Sequence, residues 1–147
     1  MKKLILILLL FPTLSYSQII KNYFNEYNIG IALVDVDLYD YNVFPGFSVV
    51  MGKTSKYNSL VKEWQFGLGL PTIFTAKVGL GVGTLKNNVM LTIRPWPFFI
   101  GPQLKIGRLT ASLEVGLKNE ISFYSGIITT FAYRVPTRKQ LIKKNKL

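Results

Sequence analysis

Over most of its length this chain places apolar residues at every second position. In the run 63–70 all the even positions are apolar, and the odd positions are Glu63, Gln65, Gly67 and Gly69. Successive side chains of a β-strand point to opposite faces, whereas a helix repeats about every 3.6 residues. The two-residue period therefore predicts strands with one apolar face and one face of small and polar residues.

The alternation recurs along the chain with short connections between the runs. Two less regular runs come first, 29–38 and 43–52, and the clear runs that follow are 63–70, 74–83, 88–94, 98–107, 109–118 and 121–134. Hairpin after hairpin at this spacing, with no connection of helix length, is typical of all-β domains. The predicted fold class is all-β, a single antiparallel up-and-down β-barrel of about eight strands.

Local features within these runs carry further predictions. Pro45 and Gly46 stand near the start of the second run, which predicts a bulge or an edge position there. A tight turn is expected at Gly107 and Arg108. The longest connection is expected at 52–62, and the longest strand at 121–134.

The two faces differ enough to indicate which one is turned inward. A water-soluble barrel would turn the apolar face in and expose strand glycines, which lose backbone entropy and contribute no packing. In a membrane barrel the glycines face a narrow lumen and the apolar face meets lipid. Charged residues of both signs lie on the glycine-bearing face and are expected to form a lumen charge network: Glu63, Lys77, Arg94, Lys105, Glu114 and Arg134.

Aromatic placement agrees with the membrane sense, because membrane barrels carry aromatic girdles at both interfaces. The aromatic residues near predicted strand ends are Tyr39, Tyr41, Phe44, Trp64, Trp96, Phe98, Phe123 and Tyr133. The alternative is a soluble exported barrel of the lipocalin kind that binds a small apolar ligand. Its cavity would be lined by Trp64, Phe66, Leu91 and Phe131.

The two ends of the chain differ from the middle. The predicted divisions are a signal peptide at 1–17, an N-terminal lead-in at 18–28, the β-barrel at 29–136 and a basic C-terminal tail at 137–147. The signal peptide follows from Lys2 and Lys3, an apolar stretch too short for the roughly 20 residues that span a bilayer, and small residues before Gln18. The tail has few apolar residues and is interpreted as a disordered, solubilising segment. The alternative is a segment that binds acidic lipid head groups or lipopolysaccharide phosphates through Arg138, Lys139, Lys143, Lys144 and Lys146.

These ends hold much of the net charge of +11. Of the 18 basic residues, two lie in the leader and five in the tail, which leaves 11 basic against seven acidic residues between them. Charged residues make up only 17% of the chain, below the roughly 25% of soluble domains. The balance favours a lipid bilayer as the partner, and we expect no nucleic-acid partner and a monomer.

With these strand segments of about ten alternating residues, the chain resembles the small outer-membrane β-barrel proteins of Gram-negative bacteria over about residues 29–136. The leader ending Ser-Tyr-Ser before Gln18 looks like those common in the Bacteroidota. The resemblance implies an integral barrel in the cell outer membrane. Such barrels often end at the aromatic residue that closes the last strand, whereas here Phe131 and Tyr133 are followed by the basic tail.

Histidine and cysteine are absent from the sequence. Their absence removes the usual general base, the commonest metal ligand and all thiolate chemistry. Glu63 and Glu114 are the candidates for paired-carboxylate chemistry, but in a lumen we expect them to neutralise Lys77 and Lys105. We therefore expect no catalytic residue, no metal and no cofactor. The predicted function is a non-enzymatic outer-membrane barrel with a structural, adhesive or minor pore role; the soluble alternative would lie in the periplasm or be secreted.

Overall fold

A computed structural model of the protein describes residues 20–37, 40–70, 73–95, 98–116 and 125–137. These residues form antiparallel strands β1 (Ile20–Asp37), β2 (Asp40–Tyr57), β3 (Leu60–Leu70), β4 (Ile73–Gly83), β5 (Asn87–Pro95), β6 (Phe98–Ile106), β7 (Leu109–Gly116) and β8 (Ser125–Pro136). The strands follow one another in chain order, and β8 pairs with β1 to close the barrel. The predicted all-β up-and-down barrel of eight strands is confirmed. No described residue belongs to a helix long and apolar enough to cross a membrane.

The first two strands are longer than the sequence predicts. β1 and β2 have 18 residues each, and they pair from Ile20 opposite Lys56 onwards. The part of the expected lead-in that the structure describes, residues 20–28, is therefore barrel wall, so the prediction that the barrel starts at residue 29 is wrong. β8 has 12 residues, so the expectation that 121–134 holds the longest strand is wrong.

Pro45 lies inside β2, opposite Ile31, with its side chain on the exposed outer face. The pairing of β2 with β3 starts only at Phe47, so the missing N–H of Pro45 removes no hydrogen bond from that ladder. The irregularity in the pairing of β2 with β1 falls between Asp35 and Asp37, so the expected bulge at Pro45 is wrong. The expected edge position is confirmed among the described residues, because Pro45 pairs with β1 and has no partner on β3.

The connection between β2 and β3 is a two-residue turn of Asn58 and Ser59. Asn58 has φ 54°, a left-handed conformation that asparagine adopts more readily than most residues. Because β2 continues to Tyr57, the long connection expected at 52–62 does not exist.

The predicted tight turn between β6 and β7 is confirmed at Gly107 and Arg108. Gly107 has φ 61°, which glycine adopts without a steric cost. This turn lies at the same end of the barrel as the turn at 58–59, the connection 84–86, the start of β1 and the end of β8. We call this the termini end, and we call the other the far end.

The apolar face of the strands is turned outward. Leu80, Leu91, Leu113 and Phe131 are 52%, 55%, 47% and 59% exposed, respectively, and the alternate residues of the same strands are buried or half-buried. The side chains that the barrel encloses are mostly polar or charged. The orientation inferred from the strand glycines is therefore the one that the structure has.

Gly101 on β6 shows why the inward face is rich in glycine. A Cβ atom added there would lie 1.9 Å from the carbonyl oxygen of Leu113 on β7. Any side chain at this position would push two paired strands apart. Glycine thus permits the close approach of strand backbones that a wall of this curvature needs.

Candidate functional site in the barrel lumen

The structure places all six charged residues expected in the lumen on the inward face of the barrel. Five of them are buried and Arg94 is half-buried. A seventh, Glu26 of β1, is 1% exposed and joins them. Burying seven ionisable groups is costly unless each has a partner, so the pairing of these groups determines what the interior can do.

One cluster is centred on Arg134 of β8. Its Nη1 and Nη2 atoms donate to the two carboxylate oxygens of Glu63, at 2.7 and 2.6 Å, and its Nε donates to Glu26. The ring centre of Phe24 lies 4.1 Å from the guanidinium carbon, within range of a cation–π interaction. The forked geometry of arginine suits two-point pairing with a carboxylate, so Arg134 is held from several sides.

Glu63 is also the acceptor for neutral donors. Thr54 Oγ1 donates to it at 2.6 Å and Gln65 Nε2 at 2.7 Å. With the two bonds from Arg134, these donors engage both oxygens of the carboxylate. Glu63 is therefore held in place as an acceptor, and it has no free position at which to act as a base.

The second cluster is centred on Glu114 of β7, whose side chain is 0% exposed. Lys77 Nζ lies 2.5 Å from one carboxylate oxygen, and Arg94 Nε donates to the other at 3.0 Å. Ser112 Oγ donates at 3.1 Å to the carboxylate oxygen that Lys77 contacts. Arg94 Nη1 donates to Thr75. One carboxylate thus faces two cations, which leaves this cluster with a formal charge of +1.

Gln103 of β6 joins the two clusters. Its Oε1 accepts from Lys77 Nζ at 3.5 Å, and its Nε2 donates to Glu63 Oε1 at 3.0 Å. Every strand of the barrel then contributes a side chain to one connected network: Glu26 from β1, Thr54 from β2, Glu63 from β3, Lys77 from β4, Arg94 from β5, Gln103 from β6, Glu114 from β7 and Arg134 from β8. We call this set the lumen network, and it crosses the lumen from wall to wall.

Lys105 lies apart from the carboxylates. The prediction paired it with Glu63 or Glu114, but its Nζ donates to the carbonyl oxygen of Leu85 at 2.7 Å, while Glu63 pairs with Arg134. Asn88 and Thr110 flank Lys105 on the neighbouring strands, and each has a buried side-chain oxygen without a hydrogen-bond partner among the described residues. Two such oxygens beside an ammonium group form a polar niche of the kind that buried water occupies.

Glu26 is the charged member of the network that the sequence did not reveal. It was missed because residues 18–28 were interpreted as a lead-in, although Tyr23, Tyr27 and Ile29 already lie on one face at strand spacing. The neutral members, such as Thr54 and Gln103, carry no signal that distinguishes them from other inward polar residues.

A cavity of about 460 Å³ lies in the half of the barrel toward the far end. The lumen network forms its base, where Gln65, Thr75, Lys77 and Arg94 reach its surface. Higher up, the inward-facing side chains that line it are largely apolar: Ala32, Val34, Phe44, Val50, Phe99 and Ile128. The lumen is therefore blocked in its middle and hollow on one side of the block.

The residues expected to line a lipocalin-like cavity do not line one. Trp64, Phe66, Leu91 and Phe131 all lie on the outer face with more than two fifths of their surface exposed. Trp64 and Phe66 stack on each other there, with ring centres 5.5 Å apart. That lining is wrong, because the apolar face of the strands points away from the interior.

The expected aromatic girdle is found only in part. Tyr133 is exposed on the outer face of β8, whereas Phe44 lines the cavity and Trp64 lies in the middle of β3 rather than at its end. Phe98 lies at the start of β6, half-buried. The side chains of Tyr39, Tyr41, Trp96 and Phe123 lie outside the described residues.

The ends of the chain fall outside the described residues. They include the predicted signal peptide at 1–17 and the tail cations Arg138, Lys139, Lys143, Lys144 and Lys146. Within the described ranges, no group of three or more acidic, histidine or cysteine side chains is arranged to hold a metal ion.

Comparison with protein-family models, with curated proteins and with solved structures finds no match for this chain. The fold and the site define the class instead. The protein is a closed eight-stranded up-and-down β-barrel with an apolar outer face and a charged, hydrogen-bonded interior.

Proposed function

We propose that the protein is an integral outer-membrane β-barrel without enzymatic activity, whose blocked lumen suits a structural or adhesive role or that of a minor pore. The outward apolar face is the observation that carries this proposal. Large apolar side chains are exposed on all eight strands, whereas soluble monomers rarely expose a continuous apolar patch above roughly 600 Å². Lipid is the surrounding in which such a face is stable.

The backbone supports the same proposal. A bilayer offers no hydrogen-bond partners, so a sheet can cross it only when every strand has a neighbour on each side. The eight strands meet this condition because β8 pairs with β1 over Phe24 to Asp35. Strands of about 9–11 residues are long enough to cross at a tilt, and β3 to β6 have 9 or 11.

The lumen network supports a role other than catalysis. Glu63 and Glu114 are each occupied by three or more donors, so neither is available as a general base. The network also occupies the path along the barrel axis. A barrel with such a plug conducts ions poorly and serves better as a rigid element of the membrane.

The leader and the resemblance to small barrels of Gram-negative bacteria favour the outer membrane as the location. The test is fractionation of cells that express the full chain with its leader. We expect the protein in the outer-membrane fraction after a urea wash, with a gel mobility that changes on boiling, as a folded barrel resists SDS. Recovery from the periplasm or the medium without detergent would refute the proposal and support the soluble exported barrel.

A further inference from the structure

The cavity at the far end combines apolar walls with a charged base. The ion pairs of the lumen network form without this space. Its volume of about 460 Å³ lies within the range of roughly 300–1,000 Å³ that small-molecule sites occupy. We propose that this cavity is a binding site for a small monoanion with an apolar body, such as a medium-chain or aromatic carboxylate, and that Arg94 binds the anionic group.

The sign of the ligand charge follows from the groups at the base. Lys77 and Arg94 both line the cavity, and the carboxylate of Glu114 that they share is fully buried behind them. The other carboxylates of the lumen network, Glu26 and Glu63, share the single cation Arg134, so the network as a whole is neutral. The cavity meets the positive part of this network, because Lys77 and Arg94 line it and none of the three carboxylates does. An anionic group is therefore the one that this surface favours.

The geometry of Arg94 indicates where that group would sit. Its Nε donates to Glu114 and its Nη1 to Thr75, while Nη2 has no hydrogen-bond partner among the described residues. The side chain is 14% exposed and lines the cavity. A guanidinium with one edge held and a donor left over is oriented to bind a carboxylate, since arginine donors lie in a fixed plane.

The apolar body of the ligand follows from the walls. Phe44, Val50, Phe99 and Ile128 surround the space above the base. Burial of a hydrocarbon chain or an aromatic ring against them is favourable, because it removes apolar surface from water. A hydrophilic anion such as phosphate would leave these walls unused.

The inference does not depend on whether the outer face of the barrel contacts lipid or water, because Lys77, Arg94 and the apolar wall residues named above lie on the inward face. Four outward residues also border the cavity: Ile29, Ile31, Phe47 and Leu70. The test is equilibrium dialysis of the purified full-length protein with radiolabelled octanoate and with 3-phenylpropanoate, alongside octanol and octylammonium. If fractionation places the protein in the membrane, the dialysis is carried out in detergent. Wild type is compared with Ala32→Phe, which fills the cavity without changing a charge. Both proteins carry the same detergent, so the difference in binding between them excludes ligand taken up by micelles.

We expect wild-type protein to bind octanoate at least tenfold more tightly than octanol or octylammonium, and Ala32→Phe to lose this binding. Arg94→Gln should weaken octanoate binding tenfold or more and leave octanol unchanged, because it removes the positive charge. The matched control is Arg108→Gln, which makes the same chemical change in the β6–β7 turn at the termini end. Comparison of 3-phenylpropanoate with octanoate shows whether the cavity prefers an aromatic or a linear apolar group.

Equal binding of octanoate by wild type and Ala32→Phe would overturn the proposal, as would an equal loss in Arg94→Gln and Arg108→Gln. Each variant is first checked for the gel shift on boiling that marks a closed barrel. If Arg94→Gln does not fold, the comparison of wild type with Ala32→Phe decides alone. None of these results bears on membrane location, so the two proposals can fail separately.

Discussion

Replacing Leu91 by arginine tests whether the outer face meets lipid or water. Leu91 is the fifth of the nine residues of β5 and is 55% exposed. Four residues at about 3.4 Å each separate it from either end of the strand, or roughly 10 Å along the barrel axis at a tilt of about 40°. This depth is close to half of the apolar band of about 25 Å that membrane barrels present.

An arginine at mid-depth costs about 2–4 kcal/mol in a membrane barrel, and at the rim about 0–1 kcal/mol. Ile106 provides the rim control, because it is also outward and exposed but ends β6 next to a turn. We expect Leu91→Arg to lower the free energy of unfolding in lipid vesicles by about 2–4 kcal/mol, and Ile106→Arg by less than about 1 kcal/mol. Urea titration followed by tryptophan fluorescence and by the gel shift on boiling measures both.

The refuting result is equally specific. If the barrel is soluble, both positions face water, and surface substitutions of this kind change stability by about 0.5 kcal/mol or less. Equal and small effects in the two variants, together with folding in the absence of lipid or detergent, would show that the reasoning from the outer face is wrong.

Three further predictions concern the interior and the wall. Glu114→Gln leaves the buried Lys77 and the half-buried Arg94 without their carboxylate and should lower the free energy of unfolding by about 3–5 kcal/mol, measured by urea titration. A change below about 1 kcal/mol would mean that the pairing contributes little. Gly101→Ala should prevent formation of the SDS-resistant band, because its Cβ would meet a carbonyl oxygen at 1.9 Å, whereas Gly107→Asn should retain the band, since asparagine tolerates positive φ. In planar bilayers the wild type should show little conductance, and the double variant Glu63→Ala/Arg134→Ala a larger one; equal conductance would mean that these side chains do not block the lumen.

Which residues of each strand point inward could be predicted from the sequence, because apolar and polar residues alternate within each strand. In β4, for example, Val78 and Leu80 alternate with Lys77 and Gly79, and this alternation needs no knowledge of neighbouring strands. A shift of one residue would exchange the two faces completely, so the pattern leaves one choice. The outer apolar face and the polar interior follow from that choice.

The extent of β1 and β2 could not be predicted in the same way. Toward the termini end the alternation is weak: Tyr23 and Tyr27 lie on the outer face of β1 with Asn25 between them, and Lys53 and Thr54 of β2 are polar on both faces. The hydrophobic pattern is interrupted there, although the backbone ladder continues. Glu26 lies in this stretch, and for that reason the interior cluster around Arg134 was incomplete in the prediction.

The choice of partners within the lumen was also beyond the sequence. Which charges meet depends on the relative register of strands that are distant in the chain, and on side-chain length across the barrel. Lys105 illustrates this: it has the right sign to pair with Glu63, yet Arg134 is the cation that contacts this carboxylate, and Lys105 donates to a backbone carbonyl instead.

The ion pair between Glu26 and Arg134 joins the first strand to the last, across 108 residues of chain. Until these two strands meet, both groups belong to open edges and remain in contact with water. Their desolvation and their pairing therefore occur in one step, at the moment the circle is completed. Partly folded forms gain nothing from this contact. The pairing of β1 with β8 should therefore make folding of the barrel all-or-none, with the joining of the first and last strands as its slowest step.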